Sequence, residues 1–330
     1  MRKFFWTICL FAAAGVCAAP AQAADIQTPD IRITLLGTGG PELTPSRLGE
    51  STLVQAGGQM LLFDTGRGTL QRLYESRAHI TGITNVFFTH LHSDHIEGLP
   101  ELWMTGWFLL GRNHPLHLYG PVGTQQMADG MLQMYAHDVS VRKGASPVEN
   151  MRHIDVTEFA AGTVYESDPG KDDDVRVLAF SVEHEDGNPA FGFRVEYHGH
   201  AVVLSGDTTY TQTLVDAARG ADVVIQNVIA GSDAYLAAAP AKRAVMTKLT
   251  TPEQAARIFQ QAKPRLAVYS HIIEMDVTDA GLMQRTRSAG YAGWLVVGQD
   301  RMVIDVGQSI AVHPPASIAN LKPITKPGQD

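Results

Sequence analysis

Three histidines and an aspartate fall within six residues, His90, His92, Asp94 and His95, in the stretch FFTHLHSDHIEG. Imidazole and carboxylate groups packed this tightly are what a divalent metal requires. In an extended segment residues i and i+2 project to the same side, so His90 and His92 can grip one ion together. If the chain turns into a helix at Ser93, Asp94 and His95 face back toward a second position. A single catalytic zinc needs only three protein ligands, so four crowded candidates point to two ions. The donor types suit Zn²⁺, with Mn²⁺ and Fe²⁺ also compatible. The chemistry expected is hydrolysis, because zinc lowers the pKa of bound water to about 7.

The elements that must hold these residues can be read from periodicity. The apolar run at 85–90 predicts a strand that delivers the cluster, and helical spacing follows from Leu99 to Leu110. Further strands are predicted at 31–37, 51–57, 59–66, 176–184, 191–199, 200–208, 221–228 and 266–271, and a closing hairpin at 293–306. Gly57-Gly58 marks a hairpin turn. Helices fit 68–76, 210–219 and 252–262. Two strand-rich halves, each followed by helices, predict an α/β fold, a four-layer αββα sandwich with catalytic loops along one edge. Trp103, Trp107 and Phe108 fit either a core face or a hydrophobic wall beside the substrate. The Gly-rich LGTGGP at 36–41 lacks the glycine spacing and following helix of a nucleotide loop and is read as a tight turn. Asp64 in LLFDTG is expected to support a ligand rather than to be one.

The segment THLHSDH matches the HxHxDH signature, and the chain over roughly 31–306 resembles the metallo-β-lactamase superfamily. It resembles most the ribonuclease Z-like and arylsulfatase-like branch, whose N-terminal signature is similar to LLGTGGPELTPSRLGESTLVQAGGQMLLFDTGRG. The resemblance implies three more ligands. They are His184 in VEHEDGNPAFGFRV, Asp207 in LSGDT and His271 in LAVYSH. The implied arrangement puts His90, His92 and His184 on one Zn²⁺ and Asp94, His95 and His271 on the other, with Asp207 bridging. The nucleophile implied is a hydroxide between two Zn²⁺ ions, which Asp94 would orient and deprotonate.

Two positions depart from that branch. Its proton-donating histidine falls at Leu249, with Lys248 beside it, and the glutamate that orients the histidine falls at Asn227. General-acid help is worth about 10²–10⁴-fold, so its loss favours a substrate with a good leaving group, unless Lys248 serves as donor. The expectation is an exported dinuclear hydrolase of small aryl sulfate or phosphate esters. A lactonase or carboxylic-ester hydrolase is the enzymatic alternative, and a non-catalytic metal-binding module the alternative of another class.

Composition sets the remaining expectations. Arg2 and Lys3, the apolar run from Phe4 to Val16 and Ala21-Gln22-Ala23 read as a signal peptide over 1–23, hence a periplasmic or secreted protein with no membrane segment after cleavage. Both cysteines, Cys9 and Cys17, lie within it, which removes thiolate ligands and disulfides from the remainder. The net charge is −8 and no basic run occurs. A small-molecule substrate is therefore expected and nucleic acid is not. A homo-oligomer is compatible with the sequence. The hydrolase domain is expected over 24–313 and a disordered Pro-rich tail over 314–330.

Overall fold

The chain is described by a computed structural model covering Met1, 28–142, 153–171, 173–325 and Gly328. Apart from Met1, the signal-peptide expectation lies outside the described residues up to residue 23.

Short runs rich in Val, Ile, Leu and Phe become strands, and turn glycines separate them. The first sheet is built from β1 (Ile31–Gly37), β2 (Ser51–Ala56), β3 (Gln59–Phe63), β4 (Asn85–Phe87), β5 (Leu116–Gly120) and β6 (Ile154–Glu158). The second contains β7 (Gly162–Glu166), β8 (Arg176–Glu185), β9 (Asn188–Tyr197), β10 (His200–Leu204), β11 (Val223–Gly231), β12 (Leu266–Met275) and β13 (Leu295–Val297). The chain then returns to the first sheet with β14 (Met302–Val306) and β15 (Ile310–His313). The strand orders are β15-β14-β1-β2-β3-β4-β5-β6 and β13-β12-β11-β10-β9-β8-β7.

Helices cover the outer faces. They are α1 (Thr69–Glu75), α2 (Ser93–Ile96), α3 (Leu99–Phe108), α4 (Thr124–Met134), α5 (Ala136–Val141), α6 (Gln212–Ala218), α7 (Asp233–Ala238), α8 (Lys242–Met246), α9 (Pro252–Ala262) and α10 (Asp279–Ser288). One apolar cluster, with Ile33, Phe63, Phe87, Phe193 and Ile304, fills the space between the sheets. A second joins the first sheet to α1, α3 and α4, and a third joins the other sheet to α6, α9 and α10. Burying each large apolar side chain contributes about 1.5–3 kcal/mol. These three interfaces make the four layers αββα, as expected from the alternation of strand-rich and helical segments.

α9 shows how local signals agree with the packing. Thr251 accepts from the Gln254 amide, the Gln254 side chain accepts from the Thr251 amide, and Pro252 occupies the first turn. This capping box satisfies two donors that the helix would otherwise leave bare. Trp103 and Trp107 are buried in the second cluster, so the aromatic spacing of α3 marks a core face rather than a substrate wall.

One expectation changes. The segment 293–306 is not a hairpin, because β13 pairs parallel to β12 while β14 pairs antiparallel to β1. The turn between them crosses from sheet to sheet and is held by Asp300. Its carboxylate accepts from Thr38 N at 3.0 Å, Thr38 Oγ1 at 2.9 Å, Leu48 N at 2.8 Å and Arg72 Nε at 3.0 Å. Beyond β15 the described residues of the tail form no regular element. Arg301 donates to Ala316 O and Tyr74 to Lys322 O, each at 2.7 Å, and Ile324 packs on the α1–α3 cluster.

The glycine turn at 37–40 is packed so closely that side chains are excluded. A Cβ on Gly37 would lie 1.9 Å from Gly49 O, and one on Gly40 would lie 3.2 Å from the His271 ring. The turn thus runs directly over the edge where the functional residues gather.

Candidate metal centre

His90 follows β4, and His92 is the extended residue that precedes α2, whose first turn carries Asp94 and His95. His184 lies near the end of β8, Asp207 follows β10 and His271 interrupts β12. Seven side chains from four segments meet at one edge of the two sheets. Their potential ligand atoms form three overlapping groups: His90, His92 and His184; His90, His95 and Asp207; Asp94, His95 and His271. The outer two groups contain the residues that the resemblance assigns to each ion, and the middle one takes His90 and His95 from them and adds Asp207.

The distances fit metal-ligand edges. His92 Nδ1 is 3.0 Å from His90 Nε2 and 3.2 Å from His184 Nε2. A tetrahedral zinc with nitrogen ligands at about 2.0–2.1 Å has nitrogen–nitrogen edges of about 3.4 Å. Asp207 Oδ2 lies 3.3 Å from His271 Nε2, 3.6 Å from His95 Nε2 and 3.8 Å from His184 Nε2. Asp94 Oδ2 is 3.3 Å from His271 Nε2. His95 Nε2 and Asp207 Oδ1 are buried with no hydrogen-bond partner among the described residues. Buried polar atoms left in this state are costly, and a cation on their open side would satisfy them. The residues present therefore fit a metal centre.

Outward partners hold four of the five imidazoles. His90 Nδ1 lies 3.0 Å from Thr89 Oγ1, and His184 Nδ1 lies 3.0 Å from the Lys248 carbonyl oxygen. His95 Nδ1 lies 2.8 Å from Asp64 Oδ2, which gives Asp64 the supporting place expected for it. His92 turns its Nε2 outward to Asn188 Nδ2 at 3.0 Å and Glu185 Oε2 at 3.2 Å. Such partners orient a ligand ring and set its tautomer.

Charge is distributed unevenly. Burial, reinforced by the neighbouring His95, holds His90 well below the ordinary imidazole pKa. Burial would lower His95 too, but the Asp64 and Asp207 carboxylates raise it well above that value. Burial opposes ionisation of Asp207, yet His271 and His95 hold it well below the usual carboxylate range. Asp94 is likewise lowered against burial, by the His271 hydrogen bond and by the charge of His95.

The branch-specific donor pair is replaced by a packed, uncharged arrangement. Leu249 is buried with Ile229, Ile273 and Met275. Asn227 accepts from Gln226 Nε2 at 2.7 Å and donates Nδ2 to Thr208 O at 3.1 Å. Lys248 reaches outward instead, and its Nζ is ion-paired to Glu185 beside His92. Glu50, Thr89, Glu185 and Asn188 touch the site without any motif to announce them.

Residues 59–272 match the family described as Beta-lactamase superfamily domain. Ribonuclease Z of Mycolicibacterium paratuberculosis is 34% identical over 276 residues, covering 82% of this chain and 96% of that protein. Ribonuclease Z of Mycobacterium marinum is 40% identical over 202 residues, covering 60% of this chain and 71% of that protein. Human tRNase Z, short form, superposes with a TM-score of 0.62 at 25% identity, covering 84% of this chain and 98% of that one.

These relatives overturn the expectation of an exported, arylsulfatase-like periplasmic hydrolase of small aryl sulfate or phosphate esters. They equally overturn a small-molecule substrate to the exclusion of nucleic acid, since the relatives carry the name of a ribonuclease. The charge argument failed because net charge sums the whole chain, whereas a substrate meets only the local field at the site. The donor-pair argument failed because losing one proton-transfer group alters the rate of a reaction without choosing its substrate.

Proposed function

The chain belongs to the metallo-β-lactamase superfamily, in its ribonuclease Z-like branch, and is a metal-dependent hydrolase; from that premise we propose that it cleaves phosphodiester bonds in RNA at a centre for two zinc ions. The observation that carries this reading is the convergence of seven ligand side chains in a chain aligned with nearly the full length of a ribonuclease Z. His90, His92 and His184 would hold one ion, and Asp94, His95 and His271 the other, with Asp207 shared. Two zinc ions bound there would supply a water with a pKa near 7 and draw charge from the phosphoryl oxygens.

The chain's own groups account for the proton traffic. Asp94, kept anionic by His271 and His95, accepts the proton of the attacking water on the carboxylate oxygen not turned to His271. Lys248 is the nearest replacement for the missing acid. Its backbone carbonyl holds His184, its side chain stands at the mouth of the site, and pairing with Glu185 keeps the ammonium close to His92. In this reading Nζ donates a proton to the leaving alkoxide. Lys242 and Arg243, on α8 just before Lys248, supply local positive charge for phosphates despite the acidic chain.

The test is cleavage of a tRNA precursor and of an unstructured RNA by Zn²⁺-loaded protein, with Asp207→Ala as the control. Expected is a discrete RNA product from the wild type and at least a 10³-fold loss in the variant, the scale on which charge-stabilising groups act. A wild type that retains two equivalents of Zn²⁺ and leaves both RNAs intact overturns the reading.

A further inference from the structure

His271 is the one imidazole of the centre whose other ring nitrogen has no partner among the described residues: its Nδ1 is buried and unbonded. The four other histidines each have an outward partner that fixes the ring. What orients His271 must therefore act through its backbone.

That backbone is unusual. β11 and β12 pair in parallel until Asn227 opposite Ser270, and pairing resumes with Val228 opposite Ile272, so His271 is an extra residue bulged out of the ladder. It has a φ of 43°, a left-handed conformation that costs a non-glycine residue roughly 1 kcal/mol or more. Bulges re-aim side chains next to active sites, and this one turns the His271 ring onto Asp94 and Asp207.

Ile272 N, just after the bulge, donates to Thr38 O at 2.8 Å, and the bulge's own donors converge on one carboxylate. Glu50 Oε2 accepts from His271 N at 3.0 Å and from Ser270 Oγ at 2.6 Å. Its other oxygen accepts from Thr52 Oγ1 at 3.3 Å, and its own carbonyl accepts from Gly66 N at 2.9 Å, which ties it to β2 and the loop after β3. Part of the residue reaches the surface, but the carboxyl faces a small cavity of about 20 Å³ bordered by Asp64, His95 and His271. A carboxyl that bridges the two sheets to a single bulged residue has a positional task.

We infer that Glu50 is the positioning residue for the second metal subsite: by holding the amide of His271 and the hydroxyl of Ser270, it keeps the bulge that aims His271 at the ion shared with Asp94 and His95. The inference rests on the two-zinc part of the proposed function and extends it to a residue outside the ligand set. It implies that damage at Glu50 is selective. The first subsite, with His90, His92 and His184, is anchored by Thr89, Glu185, Asn188 and the Lys248 carbonyl and does not depend on Glu50.

The experiment is stepwise Zn²⁺ binding to the metal-stripped full chain, by competition with a chromogenic chelator, for wild type, Glu50→Ala, Glu50→Gln and Ser270→Ala. Thermal unfolding of the stripped proteins checks that each is folded. In Glu50→Ala the weaker of the two Zn²⁺ steps is expected to lose about 10–100-fold in affinity, as for other partners that orient ligands, while the tighter step stays within about 3-fold. Glutamine can place its Oε1 where Glu50 Oε2 stands and donate its amide to Thr52, so Glu50→Gln is expected to bind like wild type. Ser270→Ala, which removes one anchor of the carboxyl, shifts the same step in the same direction by less and serves if Glu50→Ala does not fold. Equal weakening of both steps, no weakening of either, a glutamine variant as impaired as the alanine one, or a wild type holding one equivalent overturns the inference. No RNA enters the assay, so failure to cleave RNA with both binding steps intact counts against the proposed function alone.

Discussion

Asp64 Oδ2 lies 2.8 Å from His95 Nδ1, and the same carboxylate accepts from Thr89 N at 2.9 Å and Thr89 Oγ1 at 2.8 Å. Both oxygens are used, and the residue sits at a φ of 56°, which Asp and Asn tolerate better than most residues. Asp64→Asn therefore keeps the backbone and disturbs only the hydrogen bonds. If the amide nitrogen faces His95 it donates to Nδ1, which forces the ring proton onto Nε2, the atom needed for metal. If it faces Thr89 N, two donors collide. Expected is a 10–100-fold weaker affinity for Zn²⁺ in chelator competition. Unchanged affinity would show that Asp64 serves only the loop.

Lys248 separates two roles that a kinetic measurement can tell apart. If Nζ protonates the leaving group, Lys248→Ala lowers kcat by about 10²-fold, the low end for general-acid help, with KM and bound Zn²⁺ unchanged. A rise in KM at constant kcat would instead mean that the ammonium only binds phosphate. Glu185→Gln releases Lys248 from its ion pair, and kcat is expected to change far less than on loss of the lysine itself.

Asn227 tests whether the replacement of the branch's donor pair is structural. Its Nδ2 donates to Thr208 O, the carbonyl that also accepts from Thr250 Oγ1 at 2.7 Å, directly after Asp207. Asn227→Asp exchanges that donor for an acceptor facing a carbonyl in a buried site. The expected cost is about 1–3 kcal/mol in urea unfolding at neutral pH. A change below about 0.5 kcal/mol would mean that the loop carrying Asp207 is supported elsewhere.

The legible parts of this site are those fixed by short-range spacing. His90, His92, Asp94 and His95 are readable because a strand followed by one helical turn presents them together, and both periodicities are visible in the residues. His184, Asp207 and His271 were reachable only through resemblance, since nothing local says that three distant strand ends meet at one edge. Glu50 was not reachable. Its role depends on a bulge in β12, far along the chain, and bulges leave no mark in hydrophobic pattern. The 293–306 segment failed for a related reason. Two short apolar runs joined by a turn look the same whether they pair with each other or with strands in different sheets. Substrate class was the least legible feature, because composition averages over surfaces that the substrate never meets.

Asp222 offers a prediction about the scaffold, away from the metal edge. Its Oδ2 accepts from Ala201 N at 2.9 Å and lies 3.1 Å from His200 Nδ1, while Oδ1 accepts from Arg265 Nη1 at 2.6 Å. Asp30 lies 3.6 Å beyond, on the other nitrogen of His200. One carboxylate thus ties the starts of β10, β11 and β12. Burial alone would raise its pKa, but the Ala201 amide, Arg265 and His200 together hold it below the ordinary value. A carboxylate lowered on folding contributes stability that is present above its unfolded pKa of about 3.9 and is lost as pH falls through the folded value. Asp222→Asn is therefore expected to cost about 1.5–3 kcal/mol at pH 7, the range for hydrogen bonds to a charged group. The gap from wild type should narrow as pH drops below about 4, where Asp222 of the unfolded wild type binds protons that the folded carboxylate still refuses. Urea unfolding of both proteins at pH 7 and near pH 3 measures the two differences. An equal gap at both pH values would mean that the shape of the side chain, not its charge, joins the three strands.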